Sequence, residues 1–448
     1  MVETLSLKRL SSDGAAIGRL ADGRTAFVDY GCPGDVVEVL INEEKPRFVR
    51  GSVKAVIEPS PMRTRPRCPV FGRGACGGCQ WQHLDPDTSR KAKRSEIVDA
   101  LTRIGKIEQA EALTLETLAT PQDYGYRNKI ELEARLSKGR LELGFHRAGS
   151  AELISPDTCP LFSAPFKNLL KALQGALRYA LGSVDFGLSR VALRHSSRTG
   201  SFEIACVTET GSFPRARLAS TLKTACPQLT SIVRVLQKTP PPGGGRRRPS
   251  PTFKGVEVLA GAGYWEERLA GFTYKVSAPS FFQINTAAAE LLVKAALAAL
   301  RADGSDQVAD LYCGVGTFSL PLATAAGSLI AVESSGSALR DLRRNLESAG
   351  LSAEIIGGEV GRDTTCLSTV DALLVDPPRA GLSLAARSEI ARLAPARLSY
   401  VSCKPATAAR DLAALCAAGY ALRTLQPVDL FPQTPHIECV ATLSKEPL

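Results

Sequence analysis

Apolar and polar positions in the last third of the chain alternate in a way that predicts a parallel α/β sheet. From about residue 276, short apolar runs typical of buried strands alternate with longer segments of helical periodicity. The expected strands are 308–312, 329–332, 372–375 and 398–401, and the expected helices are 286–302, a helix from about 319, 338–349 and 406–418. Strands alternating with helices predict a doubly wound α/β fold. Two final strands, 425–430 and 437–443, are joined by a short connection, which predicts an antiparallel pair at the sheet edge.

The first 57 residues have a different pattern. Short stretches of β-propensity are separated by turn signals at Asp13-Gly14, Asp22-Gly23 and Pro33-Gly34. Regular short strands predict a small OB-like barrel, which is a frequent nucleic-acid platform. A structural β-domain without a ligand is the alternative.

The middle of the chain predicts an α+β domain. A Pro/Arg-rich connector leads to a helix at 89–104, and 167–181 has apolar helical periodicity. Residues 238–250 contain three prolines in succession, three glycines and three arginines, which predicts a flexible basic insertion. We therefore divide the chain into 1–58 (barrel), 59–270 (central domain) and 271–448 (α/β domain).

Composition and charge narrow the class of protein. The 448 residues have a net charge of +10 and an isoelectric point near 9.1, which favours a polyanionic partner, although a solvated basic surface would look similar. No apolar run approaches the ~18 residues of a membrane span. The N-terminus lacks the apolar stretch of a signal peptide, so we expect a cytoplasmic protein without a membrane partner.

A glycine turn after the first strand of the α/β domain predicts a nucleotide-type cofactor. Gly314 and Gly316 follow Asp310, and Glu333 stands 17 residues after Gly316 at the end of the next strand, where an acid can accept hydrogen bonds from ribose hydroxyls. Ser319 replaces the third glycine of the dinucleotide fingerprint, which favours S-adenosylmethionine over a nicotinamide cofactor. The alternative is a tight turn that only caps a helix.

The sequence Asp376-Pro377-Pro378 ends another strand, where a substrate would lie. Adenine-N6 methyltransferases of nucleic acids place an aromatic residue after the prolines to stack the base. Arg379 stands there instead, which argues against amino methylation.

A thiol and a carboxylate supply the candidate catalytic groups. Cys403 ends a strand and precedes a helix, whose terminal amides would lower the pKa of the thiol, and Glu438 follows 35 residues later. Thiolate addition to C6 of uracil activates C5 for methylation, and a base must then remove the C5 proton. His436 is the alternative base, and a buried structural cysteine is the alternative role for Cys403.

Four other cysteines form a candidate metal site. Cys68, Cys76 and Cys79 lie close in sequence, and Cys159 follows eighty residues after Cys79. Four thiolates can hold zinc or an iron–sulfur cluster. A zinc ribbon usually has a second close pair of cysteines, so we favour a [4Fe–4S] cluster, with zinc and then four unliganded thiols as alternatives.

Together these residues resemble the RNA uracil-C5 methyltransferases that carry a TRAM domain and an iron–sulfur cluster, and most closely those that act on 23S rRNA. The resemblance spans nearly the whole chain. It implies a TRAM barrel, a cluster domain and a class I (Rossmann-like) S-adenosylmethionine-dependent methyltransferase domain. It also implies that Cys403 is the nucleophile, that Glu438 is the base, and that the four cysteines are cluster ligands.

The resemblance further implies a set of cofactor-binding residues: Gln283 in the segment 281–285, Tyr312, Gly314, Thr317, Glu333, Glu359 and Asp376. The chain departs from the family at three places. Seven residues, not five, separate Cys68 from Cys76. Lys404 replaces the usual Asn or Asp after the nucleophile, and its charge would lower the pKa of the thiol. Thr317 and Glu359 replace a usual Asn and Asp.

From the sequence we therefore expect a monomeric enzyme that methylates C5 of a uridine in RNA, with 23S rRNA as the favoured substrate. A tRNA uracil-C5 methyltransferase is the first alternative, disfavoured because such enzymes commonly lack both the TRAM and cluster domains. Cytosine-C5 methylation is less favoured, since the proline motif has no companion cysteine. An iron–sulfur RNA-binding or sensing protein without catalysis is the alternative from another class.

Overall fold

The computed structural model describes residues 2–166, 168–238 and 252–445. The N-terminal strands close a barrel in the order β1-β2-β3-β5-β4, with β1 paired to both β2 and β4. The strands are β1 (Val2–Leu10), β2 (Ala16–Arg19), β3 (Thr25–Asp29), β4 (Val36–Glu44) and β5 (Phe48–Glu58). Alternate residues such as Leu5, Leu7, Val37 and Val39 fill the barrel interior. The predicted small barrel is confirmed.

Two helices follow the cysteine-rich segment: α1 (Pro86–Arg103) and α2 (Ala110–Leu113). Helix α1 begins where the sequence favours it, since Asp85 Oδ1 accepts a hydrogen bond from the amide of Thr88 at 3.0 Å and Pro86 occupies the first turn. Ile97 and Leu101 of α1 pack into the core of the C-terminal α/β domain. Helix α1 therefore connects the N-terminal part of the chain to that domain.

The central domain contains a seven-stranded sheet in the order β12-β11-β10-β9-β6-β7-β8. Its strands are β6 (Lys129–Ser137), β7 (Arg140–His146), β8 (Leu153–Ile154), β9 (Leu188–His195), β10 (Phe202–Thr208), β11 (Ser231–Lys238) and β12 (Thr252–Gly261). Helices α3 (Leu169–Leu181) and α4 (Arg215–Ala225) pack on this sheet. The predicted α+β domain is confirmed. Lys167, at the start of the predicted helix 167–181, and nearly all of the predicted insertion 238–250 lie outside the described residues.

A hairpin and a second seven-stranded sheet form the C-terminal domain. The sheet order is β17-β16-β15-β18-β19-β21-β20, parallel except for β21, which is antiparallel to β19 and β20. The strands are β13 (Trp265–Leu269) and β14 (Phe272–Val276) in the hairpin, then β15 (Gln307–Leu311), β16 (Ser328–Glu333), β17 (Glu354–Gly357), β18 (Ala372–Val375), β19 (Arg397–Ser402), β20 (Ala421–Val428) and β21 (Glu438–Ser444). The helices are α5 (Thr286–Leu300), α6 (Ser319–Ala325), α7 (Gly336–Ser348), α8 (Leu384–Leu393) and α9 (Pro405–Ala417).

This arrangement confirms the predicted doubly wound sheet and its antiparallel closing pair. Apolar residues from both faces of the sheet pack against helices, so the strands are buried on both sides. The β13–β14 hairpin packs with α5 in one of these two cores and crosses the predicted boundary between residues 270 and 271. Within the described ranges, no helix is both long and apolar enough to cross a membrane.

Candidate active site

The strand order places the predicted site residues at one edge of the C-terminal sheet. Strand β15 pairs with β16 on one side and with β18 on the other. The chain adds strands first to one side of β15 and then to the other, so the strand order reverses between β15 and β18. Ligands of open α/β sheets bind beyond the carboxyl ends of the strands at such a point. Tyr312, Glu333, Asp376 and Cys403 all lie at the carboxyl ends of their strands, and Glu438 opens the antiparallel β21 at the same edge.

The glycine turn after β15 contains residues in a left-handed backbone conformation that few residues adopt. Tyr312 and Gly314 have φ of 63° and 58°. A Cβ at Gly314 would meet no protein atom within 4 Å, so this amide borders open space that a ligand can enter. The Gly314 amide donates to Glu333 Oε2 at 3.0 Å, and the Ser335 amide donates to Glu333 Oε1 at 2.6 Å. These two bonds fix the Glu333 carboxylate beside the turn.

This finding refines the role expected of Glu333 from sequence. Both of its oxygens already accept a backbone amide, so the carboxylate is a structural element of the turn as well as a candidate ligand. Each carboxylate oxygen can accept a further hydrogen bond, which leaves room for a ribose hydroxyl.

Two further carboxyl groups lie on neighbouring strands: Asp310 is buried in β15, and Asp376, partly buried, follows β18. Burial raises the pKa of Asp310 to about 7, and Asp376 at the end of β18 has its pKa raised to about 7 by the same cause. The Ser319 hydroxyl donates to Asp310 Oδ2 at 2.5 Å. The residue that replaces the third glycine of the dinucleotide fingerprint therefore stabilises the acid that precedes the turn.

The remaining predicted cofactor residues have different surroundings. Gln283 is buried, and its carbonyl accepts a hydrogen bond from Asn128 Nδ2 at 2.8 Å. The Thr317 carbonyl accepts from the Tyr274 hydroxyl at 3.3 Å. The side chain of Glu359 is 65% exposed and pairs with an arginine of its own loop. Burial first, then the charge of Asp411 and then that of Glu359, raise the pKa of Tyr312.

Cys403 and Glu438 are brought together by the pairing of β19 with β21. Ser402 at the end of β19 pairs in antiparallel register with Cys439. The next residue on one strand and the preceding residue on the other, Cys403 and Glu438, are therefore neighbours at the sheet edge. Glu438 is buried and Cys403 partly so. The candidate nucleophile and the candidate base thus lie side by side although 35 residues separate them.

The charges around Cys403 differ from the expectation. Burial first, and then the charge of Glu438, raise the pKa of the thiol to about 11, whereas a lowered pKa was predicted. Arg379 is the cation that opposes this rise. Burial and the charge of Asp376 raise the pKa of Glu438, and the charge of Arg379 acts to lower it. Lys404, expected to act on the thiol, lies exposed at the N-cap of α9.

Arg379 is thus a functional candidate that the sequence analysis used only to argue against amino methylation. Its position directly after Asp376-Pro377-Pro378 at a strand end is the signal that could have identified it. His436 also lies near Arg379: desolvation first, and then the charge of Arg379, lower the pKa of the imidazole. Both effects favour the neutral imidazole.

The four predicted metal-ligating cysteines line one cavity of about 390 Å³. All twelve cysteines of the chain are free thiols in this structure. Among the described residues, no three His, Cys, Asp or Glu side chains are grouped at metal-binding distances. The cavity is also lined by Arg127, whose buried Nε lacks a hydrogen-bond partner in the described structure. Four cysteine thiols and the Arg127 side chain therefore line this cavity.

Comparison with known proteins agrees with this geometry. Residues 264–355 and 366–446 match the family model described as tRNA (Uracil-5-)-methyltransferase, and residues 2–54 match the TRAM domain. An uncharacterized RNA methyltransferase of Thermosynechococcus vestitus is 36% identical over 98% of this chain and 97% of its own. Another, of Synechocystis sp., is 35% identical over 99% of this chain and 95% of its own.

A solved structure also resembles the chain along almost its whole length. The tRNA (uracil-54, C5)-methyltransferase of Pyrococcus abyssi, in complex with S-adenosyl-L-homocysteine, has a TM-score of 0.74 and 25% identity, and the match covers 98% of this chain and 99% of that one. The fold is that of a class I S-adenosylmethionine-dependent methyltransferase with an N-terminal TRAM barrel. The chain belongs to the RNA uracil-C5 methyltransferase family.

Proposed function

We propose that this protein methylates C5 of a uridine in RNA through Cys403 and Glu438. The observation that carries the proposal is their adjacency, which the register between β19 and β21 imposes. Both groups lie at the edge where the glycine turn and Asp376 also end their strands. In this proposal the nucleophile, the base and the cofactor-binding turn share one edge of the sheet.

The chemistry uses each group once. The Cys403 thiolate forms a bond to C6 of uracil, and the electron pair of the C5–C6 double bond becomes available at C5. S-adenosylmethionine, when bound, supplies the methyl group that C5 attacks. Glu438 then removes the C5 proton, the C5–C6 double bond forms again, and the bond from C6 to sulfur breaks to release the thiolate. Arg379 favours the charged forms of both Cys403 and Glu438.

The cofactor is proposed to lie over the glycine turn. Gly314 leaves space for close approach, and Glu333 has acceptor capacity for the ribose hydroxyls. Tyr312 and Asp376 flank the same strand ends. Gln283, Thr317 and Glu359 complete the set on the basis of the family resemblance, with Glu359 on the exposed side.

The RNA partner is supported by charge and by the TRAM barrel. The net charge of +10 attracts a phosphate backbone, with an affinity that falls as salt rises. A paired uridine hides C5, so the target base must be turned out of its stack into the pocket. We propose 23S rRNA as the substrate and a monomer as the acting form.

A tRNA substrate is the second candidate, favoured by the match to the Pyrococcus abyssi enzyme. That match covers 98% of this chain, the barrel included, so the presence of a TRAM barrel does not separate rRNA from tRNA enzymes.

The cysteine cavity is proposed to hold a [4Fe–4S] cluster bound by Cys68, Cys76, Cys79 and Cys159. A cavity of about 390 Å³ is larger than a single zinc ion requires, and the guanidinium of Arg127, whose Nε is buried, would offset the negative charge of the cluster. Methyl transfer needs no electron, so the group has a structural role in this proposal.

The experiment is incubation of the protein with S-adenosylmethionine and unmodified 23S rRNA or bulk tRNA, followed by mass spectrometry. We expect 5-methyluridine in a 23S fragment. 5-Methyluridine in tRNA alone would identify tRNA as the substrate. Cys403→Ala should abolish the product while RNA binding persists, and Glu438→Gln should hold RNA covalently on the enzyme. Full turnover by either variant would contradict the mechanism.

A further inference from the structure

The segment that precedes Glu438, the proposed base, is held mainly by hydrogen-bond donors from outside the α/β domain. Residues 429–437, here called the base loop, connect β20 to Glu438. Four consecutive carbonyl oxygens of this loop, those of residues 430–433, accept hydrogen bonds from groups elsewhere in the chain. The donors are Asn285 Nδ2 at 3.1 Å, Lys93 Nζ at 3.0 Å, the Tyr126 hydroxyl at 2.9 Å, and the amides of Gln80 and Trp81 at 3.1 and 3.0 Å.

Most of these donors come from the N-terminal half of the chain. Trp81, Lys93 and Tyr126 all precede residue 264, where the match to the methyltransferase family model begins. The loop is also anchored at its first residue, since the Asp429 amide donates to the carbonyl of Leu118 at 2.9 Å. The base loop thus depends on structure that the methyltransferase sheet does not itself provide.

Lys93 is the most unusual of the donors. Its side chain is fully buried, 2.5 Å from Asp429 Oδ1, and its ammonium lies 5.8 Å from the centre of the Trp81 ring. Burial lowers the pKa of Lys93, and the charge of Asp429 raises it again. Replacing a whole buried ion pair can cost little stability, but the loss of one partner leaves an unpaired buried charge, so each partner constrains the other. Here the partner is the first residue of the base loop.

We propose that Lys93 and Tyr126 are positioning residues for Glu438. Neither side chain acts as a base or a nucleophile in the reaction. They fix the base loop so that the Glu438 carboxylate faces the C5 proton while Cys403 remains bound to C6. The inference rests on the proposed role of Glu438, and it predicts a defect in one step of the reaction rather than a general loss of function.

The test separates formation of the covalent adduct from its release. An RNA with 5-fluorouridine at the target position traps the adduct, because fluorine cannot leave C5 as a cation and the base is not needed to reach that state. Lys93→Met and Tyr126→Phe should form this adduct at the wild-type rate. With ordinary RNA, turnover should fall about tenfold or more, because a misplacement of about 1 Å can cost a hundredfold. Methylated RNA should then accumulate on the enzyme in denaturing gels.

Tyr124→Phe is the matched control. It removes a tyrosine hydroxyl in the same segment. That hydroxyl donates to Gln82 Oε1 at 3.4 Å and not to the base loop. Wild-type turnover is expected. Folding of each variant is judged by its affinity for S-adenosylmethionine. Tyr126→Phe removes only the hydroxyl oxygen, so it alone tests the positioning role if Lys93→Met fails to fold.

Two results would overturn the proposal: unchanged turnover in Tyr126→Phe, or a loss of adduct formation equal to its loss of turnover. Failure of the proposed function gives a different result, since wild-type protein would then form neither 5-methyluridine nor a 5-fluorouridine adduct.

Discussion

Asp376 and Glu438 are two carboxyl groups close to Cys403, and after burial it is the charge on Asp376 that raises the pKa of Glu438. Arg379 opposes this effect on Glu438 and also favours the thiolate of Cys403. In the proposed mechanism, Glu438 as the base and Cys403 as the nucleophile must both lose a proton to act. The balance of these charges therefore sets the pH range in which the site can work.

Replacing Arg379 should move the pH dependence of turnover. Arg379→Gln removes the cation that lowers the pKa of Cys403 and Glu438, so both groups should ionise at higher pH. The rising limb of the kcat–pH profile should shift upward by about one unit. Arg379→Lys keeps the charge and should keep the limb within a few tenths of a unit. An unshifted profile in Arg379→Gln would show that this charge does not control the reacting groups.

Gly314→Ala should weaken cofactor binding. The new Cβ meets no protein atom but occupies the space proposed for S-adenosylmethionine, and the positive φ costs about 1–2 kcal/mol. Isothermal titration calorimetry should show at least a tenfold loss of affinity. Gly350→Ala is the control, because Gly350 also has positive φ and open surroundings but lies after α7. Equal affinity losses in the two variants would contradict this placement of the cofactor.

Glu333→Gln should also weaken cofactor binding. The glutamine side chain has one carbonyl oxygen, so its NH₂ group must face the amide of either Gly314 or Ser335, both of which are donors. The turn should shift, and the affinity for S-adenosylmethionine should fall about tenfold. Glu354→Gln changes an exposed carboxylate on β17 of the same sheet and should bind normally. Normal binding by Glu333→Gln would mean that neither the turn nor the ribose depends on the carboxylate.

Loss of one cavity cysteine should remove the metal and loosen the base loop. Cys159→Ser should lower iron and acid-labile sulfide in protein purified without oxygen, while Cys366→Ser, at an exposed cysteine, should retain both. Gln80 and Trp81 follow Cys79 directly and donate to the base loop. Hydrogen exchange of residues 430–438 should therefore rise in Cys159→Ser. If the wild-type protein contains zinc and no iron, the site holds zinc and not an iron–sulfur cluster.

Local sequence patterns determined much of this protein. The strand and helix periods predicted the doubly wound sheet, because residues buried on both faces of a parallel sheet must be apolar. The glycines at 314 and 316 and the acids that end β16 and β18 indicated the cofactor edge, since a strand end can be located from its own residues. The adjacency of Cys403 and Glu438 was expected from the chemistry and from the family resemblance. The observed register of β19 with β21 now accounts for it.

Only the tertiary structure decided the electrostatics and the support of the site. The pKa of Cys403 is raised rather than lowered, because burial and two carboxylates outweigh any local helix effect, and Arg379 rather than Lys404 supplies the opposing charge. The contact of Lys93 with Asp429 spans 336 residues of sequence. Charge effects and long-range hydrogen bonds depend on distances between atoms that the folded chain brings together, and no local pattern of residues contains those distances.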